Sequence, residues 1–242
     1  MSENEKKEEE EIKYEILSED VTEVDYSFKI IVIGDSNVGK SCLTLKGTKD
    51  KFKDFYSPTI GFEFLSFNIR MNDKIVKLQI WDTCGQEVYR SLISSFYRNS
   101  SLAIIVYAIN NKESFDNLES WLDEIKSKTH PYLKIFLIGN KVDLENERAV
   151  DRAMAEELAK DHNIDLFLET SAKTGVNAQK LFVKAAQILL ENYKDFPEFD
   201  TRDSNASKDK SSITLSADDN ANINDGETGP DIDKKRKKKC GC

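Results

Sequence analysis

Between residues 28 and 194 the chain switches repeatedly between two spacings of apolar side chains. The runs "FKIIVIG" (28–34), "LAIIVYAI" (102–109) and "KIFLIGN" (134–140) end at turn residues, and "IDLFLET" (164–170) is a weaker fourth. Runs this short and this apolar predict strands covered on both faces. Between them the spacing widens. In "SFDNLESWLDEIK" apolar residues return every three or four positions, at Phe115, Leu118, Trp121, Leu122 and Ile125; "VDRAMAEELAKDH" and "NAQKLFVKAAQILLENY" behave likewise. That spacing predicts amphipathic helices. One stretch breaks the rhythm: "FEFLSFNIR" and "KIVKLQIWD" alternate polar and apolar residues around "MND", the pattern of an antiparallel hairpin. The expected fold is α/β and three-layered, with about five helices covering a mostly parallel, six-stranded sheet that carries one antiparallel edge strand.

Charge divides the chain into three parts. Residues 1–25 hold eleven acids against three bases, net −8, with few apolar anchors, and are expected to be a disordered acidic extension. Residues 195–242 carry net −2, which leaves residues 26–194 close to neutral at +1. A folded domain of that balance has no basic face for nucleic acid. Nothing approaches eighteen consecutive apolar residues, and the acidic start "MSENEKKEEEEIK" lacks the apolar stretch of a signal peptide. A cytoplasmic location is the expectation. The four cysteines, without CxxC pairs, suggest neither a disulfide framework nor a zinc site.

The strongest chemical signal lies where the first long strand meets the first helix. "GDSNVGKS" (34–41) fits GxxxxGK[ST] and opens the helical "KSCLTLK". Such a loop wraps phosphates in backbone amides, here from Ser36, Asn37, Val38, Gly39, Lys40, Ser41 and Cys42. Lys40 would neutralise the outer phosphates, and the Ser41 hydroxyl can ligate Mg²⁺. Two later stretches choose the base. In "NKVD" (140–143), Asp143 can accept the ring N–H and exocyclic amine of guanine together, a pairing adenine does not offer, with Asn140 and Lys141 beside it. "ETSAKTG" (169–175) can give amides of Ser171, Ala172 and Lys173 to the guanine oxygen. "WDTCGQE" (81–87) closes a strand: Asp82 can orient the magnesium shell, Gly85 can offer an amide to the terminal phosphate, and Gln86 can orient an attacking water, with Lys40 stabilising charge.

These motifs together resemble a small GTPase of the Ras superfamily, specifically a Rab, over about residues 28–194, with the P-loop NTPase fold. The resemblance implies GTP and GDP as substrate and product, Mg²⁺ bound by Ser41, Thr59 and Asp82, and Phe52 packed against the guanine. "TIGFEF", "KLQIWDT" and "FYRNS" resemble stretches that mark Rabs, and Phe64, Trp81 and Phe96 would form their effector-binding triad. Two residues depart from the pattern. Asn37 stands where many relatives have glycine, and Cys84 replaces the alanine of "DTAGQ"; a GTP-binding scaffold with little turnover therefore stands beside the slow hydrolytic switch. An ATP-dependent P-loop enzyme is a third class, which Asp143 disfavours.

The chain ends in "KKRKKKCGC" (234–242), behind a Ser-, Asp-, Asn- and Gly-rich stretch that reads as a flexible tether. Six bases suit an anionic membrane surface and also fit a nuclear localisation signal. The C-x-C ending resembles the one on which Rabs carry two geranylgeranyl groups, implying Cys240 and Cys242 as lipidation sites and a cytosolic endomembrane face as the destination. By the same resemblance the partners are an exchange factor, a GTPase-activating protein, an escort protein with its transferase, a dissociation inhibitor and effectors, and the chain is a monomer.

Overall fold

A computed structural model describes residues 13–52, 59, 61–85 and 97–193. The acidic start to residue 12, Gln86, Phe96 and everything from residue 194 onward, Cys240 and Cys242 included, lie outside the described residues.

Seven strands form one sheet: β1 (Tyr14–Leu17), β2 (Tyr26–Ile33), β3 (Phe62–Met71), β4 (Lys74–Thr83), β5 (Leu102–Ala108), β6 (Lys134–Asn140) and β7 (Leu166–Glu169). Their spatial order is β1-β3-β4-β2-β5-β6-β7. The hairpin predicted around "MND" is present, with Phe62 opposite Thr83 and Met71 opposite Lys74. The turn carries Asn72 and Asp73 in left-handed conformation at φ 47° and 63°, the residue types that tolerate it.

The sheet corrects two expectations at its hairpin end. It has seven strands rather than six, because Tyr14–Leu17, placed in the disordered extension by composition, pairs antiparallel with β3 from Tyr14↔Met71 to Leu17↔Asn68. And β3, the one strand running against the others, is no longer at the edge. Three apolar residues cannot order a segment alone, but β3 supplies a ladder of backbone partners, and Arg70 and Lys49 offset the acids Glu15 and Glu19.

Period two decides what each strand buries. Ile30 and Val32 of β2 point into one core with Phe67, Leu78, Leu181 and Phe182, while Ile31 and Ile33 point into the other with Tyr107, Trp121 and Leu122. The first core is roofed by α1 (Lys40–Lys49) and α5 (Ala178–Glu191). The second is roofed by α2 (Lys112–Asp116), α3 (Leu118–Lys128) and α4 (Arg152–Asp161). The single helix expected over "SFDNLESWLDEIK" is two helices that break at Asn117, whose side chain turns away to bond Asp35 at 2.7 Å. Among the described residues no helix is long and apolar enough to cross a membrane.

Candidate functional site

The predicted chemical residues converge beyond the carboxyl ends of β2, β4, β6 and β7, where parallel α/β sheets present ligand sites. The loop after β2 supplies the first part. Gly39 sits at φ 93°, and a Cβ there would lie 2.5 Å from the Asn140 side-chain nitrogen, so only glycine fits. Asn37 adopts φ 61° and is exposed; asparagine tolerates this left-handed turn. The loop is anchored from behind. Asp35 accepts from Asn117 Nδ2 at 2.7 Å and from Trp121 Nε1 at 2.8 Å, which ties the loop to α3. Sequence reasoning counted Trp121 as an apolar helix position and missed this role; the signal was its ring N–H, which needs a partner when buried.

Lys40 opens α1 and is almost wholly buried, with Nζ donating to the carbonyls of Gly34 at 2.8 Å and Asp35 at 2.7 Å. Burial lowers its pKa to about 8, partly opposed by the charges of Asp82 and Asp35. The ammonium is therefore charged at neutral pH, but its partners are neutral carbonyls. A phosphate placed at the loop would supply the missing counter-charge.

Next to it three oxygen groups meet. Ser41 Oγ lies 2.7 Å from Thr59 Oγ1 and donates to Asp82 Oδ2. Asp82 is fully buried, its Oδ1 has no hydrogen-bond partner, and burial raises its pKa to about 7. An orphaned buried carboxylate oxygen beside two hydroxyls is a hard, oxygen-only donor set that suits Mg²⁺, and a cation there would relieve the cost of burying Asp82. The end of β4 presses on the phosphate loop as well. A Cβ on Gly85 would collide with the backbone of Asp35 and Ser36, so its backbone lies directly against the loop.

The third part comes from the far strands. Asn140, at the end of β6 and 1% exposed, donates Nδ2 to Val38 O at 2.9 Å and accepts through Oδ1 from Thr170 Oγ1 at 3.1 Å and Ala172 N at 3.2 Å. One side chain thus joins the phosphate loop, "NKVD" and "ETSAK". Asp143, exposed at the start of the 3₁₀ segment Val142–Glu147, accepts from Ser171 Oγ at 2.5 Å, which holds its carboxylate in place. Lys141 is half-buried in left-handed conformation at φ 72°, and Lys173 is exposed. Arg148 adds a brace that motif reading passed over. It contacts both carboxylate oxygens of Glu169, at 2.7 and 3.2 Å, and grips Glu145, which ties the segment after β6 to the end of β7.

Of the remaining candidates, Cys42 and Phe52 are half-buried against the first core. Cys84 is 1% exposed and packs in the second core, while its amide bonds Gly61 O at 3.0 Å. Phe64 is 51% exposed and meets the half-buried Trp81 edge-on at 5.3 Å. Phe62 also touches Trp81, at 5.2 Å.

Known proteins share this arrangement of sequence. The model of the Ras family matches residues 29–191. A relative from Zea mays, named GTP-binding protein YPTM1, is 47% identical over 170 residues, which is 70% of this chain and 81% of that protein.

Proposed function

This chain belongs to the Ras family, as a Rab-type small GTPase that converts GTP to GDP and phosphate, and from that premise we propose that it acts as a membrane-anchored molecular switch in vesicle traffic. The observation that carries the reading is the meeting at one sheet edge of a phosphate loop, a buried carboxylate with an oxygen to spare, and two loops pinned together by Asn140.

In this reading the amides from Ser36 to Cys42 hold the phosphates and Lys40 exchanges its loop carbonyls for phosphate oxygens. Asp143, fixed by Ser171, takes the guanine edge; Ser171, Ala172 and Lys173 face the guanine oxygen, and Phe52 flanks the base. Ser41, Thr59 and Asp82 are the residues that would hold Mg²⁺, which when bound supplies positive charge to the outer phosphates. Gly85, lying against the loop, offers its amide to the terminal phosphate, and Gln86 orients the attacking water. Turnover is slow alone, and an activating protein brings an arginine that stabilises charge on the transferred phosphate. With GTP bound, the segments around Thr59 and Gln86 are held for effectors that meet Phe64, Trp81 and Phe96; hydrolysis releases them. Geranylgeranyl groups on Cys240 and Cys242, reinforced by the six bases, hold the chain on the cytosolic face of an endomembrane. Exchange factor, escort protein and dissociation inhibitor complete the cycle.

The scaffold reading draws on Asn37 and Cys84. The geometry gives it little support: Asn37 holds the turn, and the Cys84 side chain fills the core. Single-turnover hydrolysis decides between them. The chain loaded with labelled GTP and Mg²⁺ should release phosphate slowly alone and at least a hundredfold faster with a Rab-activating catalytic domain. GTP retained uncleaved in both would establish the scaffold, and displacement of the bound nucleotide by excess ATP would revive an adenine-specific enzyme.

A further inference from the structure

The acidic extension has a described end, and it occupies a definite place. Tyr14–Leu17 runs along the outer edge of β3 opposite residues 68–71. Three side-chain contacts pin it there. Glu15 pairs with Arg70, Glu19 pairs with Lys49 at 2.8 Å on the last turn of α1, and Asn68 Nδ2 donates to Ser18 O at 2.8 Å. Asn68 is the only polar side chain of β3 that is fully buried, so the contact with Ser18 is built in.

We propose that the outer edge of β3 is an acceptor site for an extended acidic segment, occupied in cis by residues 14–19, so that a partner strand of the same chemistry binds only by displacing them. Strand addition to a sheet edge takes its affinity from main-chain bonds and its selectivity from the side chains that flank them. Here the flanking groups are two cations, Arg70 and Lys49, which select acids at positions four residues apart, as Glu15 and Glu19 are.

The cis segment is held loosely enough to leave. β1 has four residues, its ion pair is exposed, with Arg70 at 45% and Glu15 at 62%, and the pair of Lys49 with Glu19 beyond it is partly exposed. Exposed pairs contribute little, and so short a strand is marginal. Its advantage is the tether, which gives it an effective concentration on the order of millimolar. A trans strand has a compensating advantage in length. β3 extends for ten residues while the register uses only its last four, and the outer edge of residues 64–67 continues past β1 with no strand beside it among the described residues. A partner covering residues 64–71 would make twice as long a ladder and would arrive beside the exposed Phe64. The acidic segment thereby occupies half of the edge that such a partner would use, the other half lying beside the aromatic pair Phe64 and Trp81.

The test uses a synthetic peptide with the sequence of residues 13–20, titrated into the isotope-labelled full chain and into a chain lacking residues 1–19, both loaded with the same nucleotide. Shifts of the backbone amides of residues 68–71 report binding. The shortened chain should bind the peptide at least tenfold more tightly than the full chain, and a peptide carrying Glu15→Lys and Glu19→Lys, which sets like charges against Arg70 and Lys49, should bind severalfold more weakly. No binding by the shortened chain at millimolar peptide, or equal binding by both chains, overturns the proposal. So does self-association of the shortened chain that the peptide cannot compete away, which would make the edge a site for a second copy. If the shortened chain does not fold, the full chain with Glu15→Lys and Glu19→Lys serves. Those amides among residues 68–71 that face β1 rather than β4 should exchange hydrogen at least tenfold faster while those of β5 are unchanged, and unchanged exchange at the β1-facing amides overturns the proposal.

Discussion

Asn140 shows how much one side chain can hold. Its amide satisfies Val38 O, Thr170 Oγ1 and Ala172 N, groups on two stretches of chain distant from it and from each other in sequence. Asn140→Ala leaves all three buried without that partner, at a cost of about 3 kcal/mol, and should speed guanine nucleotide release at least tenfold. Denaturant unfolding and nucleotide-release kinetics check the two effects separately. Cys84 is the opposite case, a departure in a site motif whose side chain serves the core. Cys84→Ala should cost about 1 kcal/mol through lost packing and leave single-turnover hydrolysis within twofold of the parent. A clear acceleration would show that the sulfur hinders the reaction. Asn37 was legible as a tolerated departure because asparagine accepts positive φ; the pinning of Asp35 by Asn117 and Trp121 was not, because those residues lie more than eighty positions away.

At the scale of elements, the hairpin β3–β4 and the buried strands were legible because their periods reflect which faces are covered, and coverage acts on every residue of the strand. The break between α2 and α3 was not, since the apolar spacing runs through Asn117 without interruption. The joint between β2 and β4 is set by Asp25, just ahead of β2. Its carboxylate accepts from Ile75 N and Lys74 Nζ, both at 2.8 Å, and these bonds, the backbone one first, hold its pKa below the ordinary carboxylate value. A carboxylate lowered in the folded state adds stability that is complete above its unfolded pKa and is lost as pH falls through the folded one. Asp25→Asn should therefore melt roughly 2–4 °C below the parent at pH 7, and the gap should close toward pH 3 in a series of thermal melts.

For the whole molecule, the site joins β2, β4, β6 and β7, so whatever fills it stabilises the sheet as a unit. Nucleotide with Mg²⁺ should raise the melting temperature by more than 5 °C at saturating concentrations, and chelation of the metal should return most of that gain, because Asp82 is then buried without a cation. Removing the anchor tests the other end of the chain. Replacing Cys240 and Cys242 by serine should move the protein expressed in cells from the membrane pellet to the soluble fraction, leaving only binding to anionic vesicles that is lost at high salt. The sequence by itself determined the layered fold, the chemistry of the phosphate loop and the choice of guanine over adenine, since each depends on local periodicity or on residue types within a few positions. Tertiary structure alone decided what the stretch Tyr14–Leu17 becomes. Its residues have too little apolar surface to order themselves, and they become a strand only where the edge of β3, with Arg70 and Lys49 beside it, provides the partners that their own composition lacks.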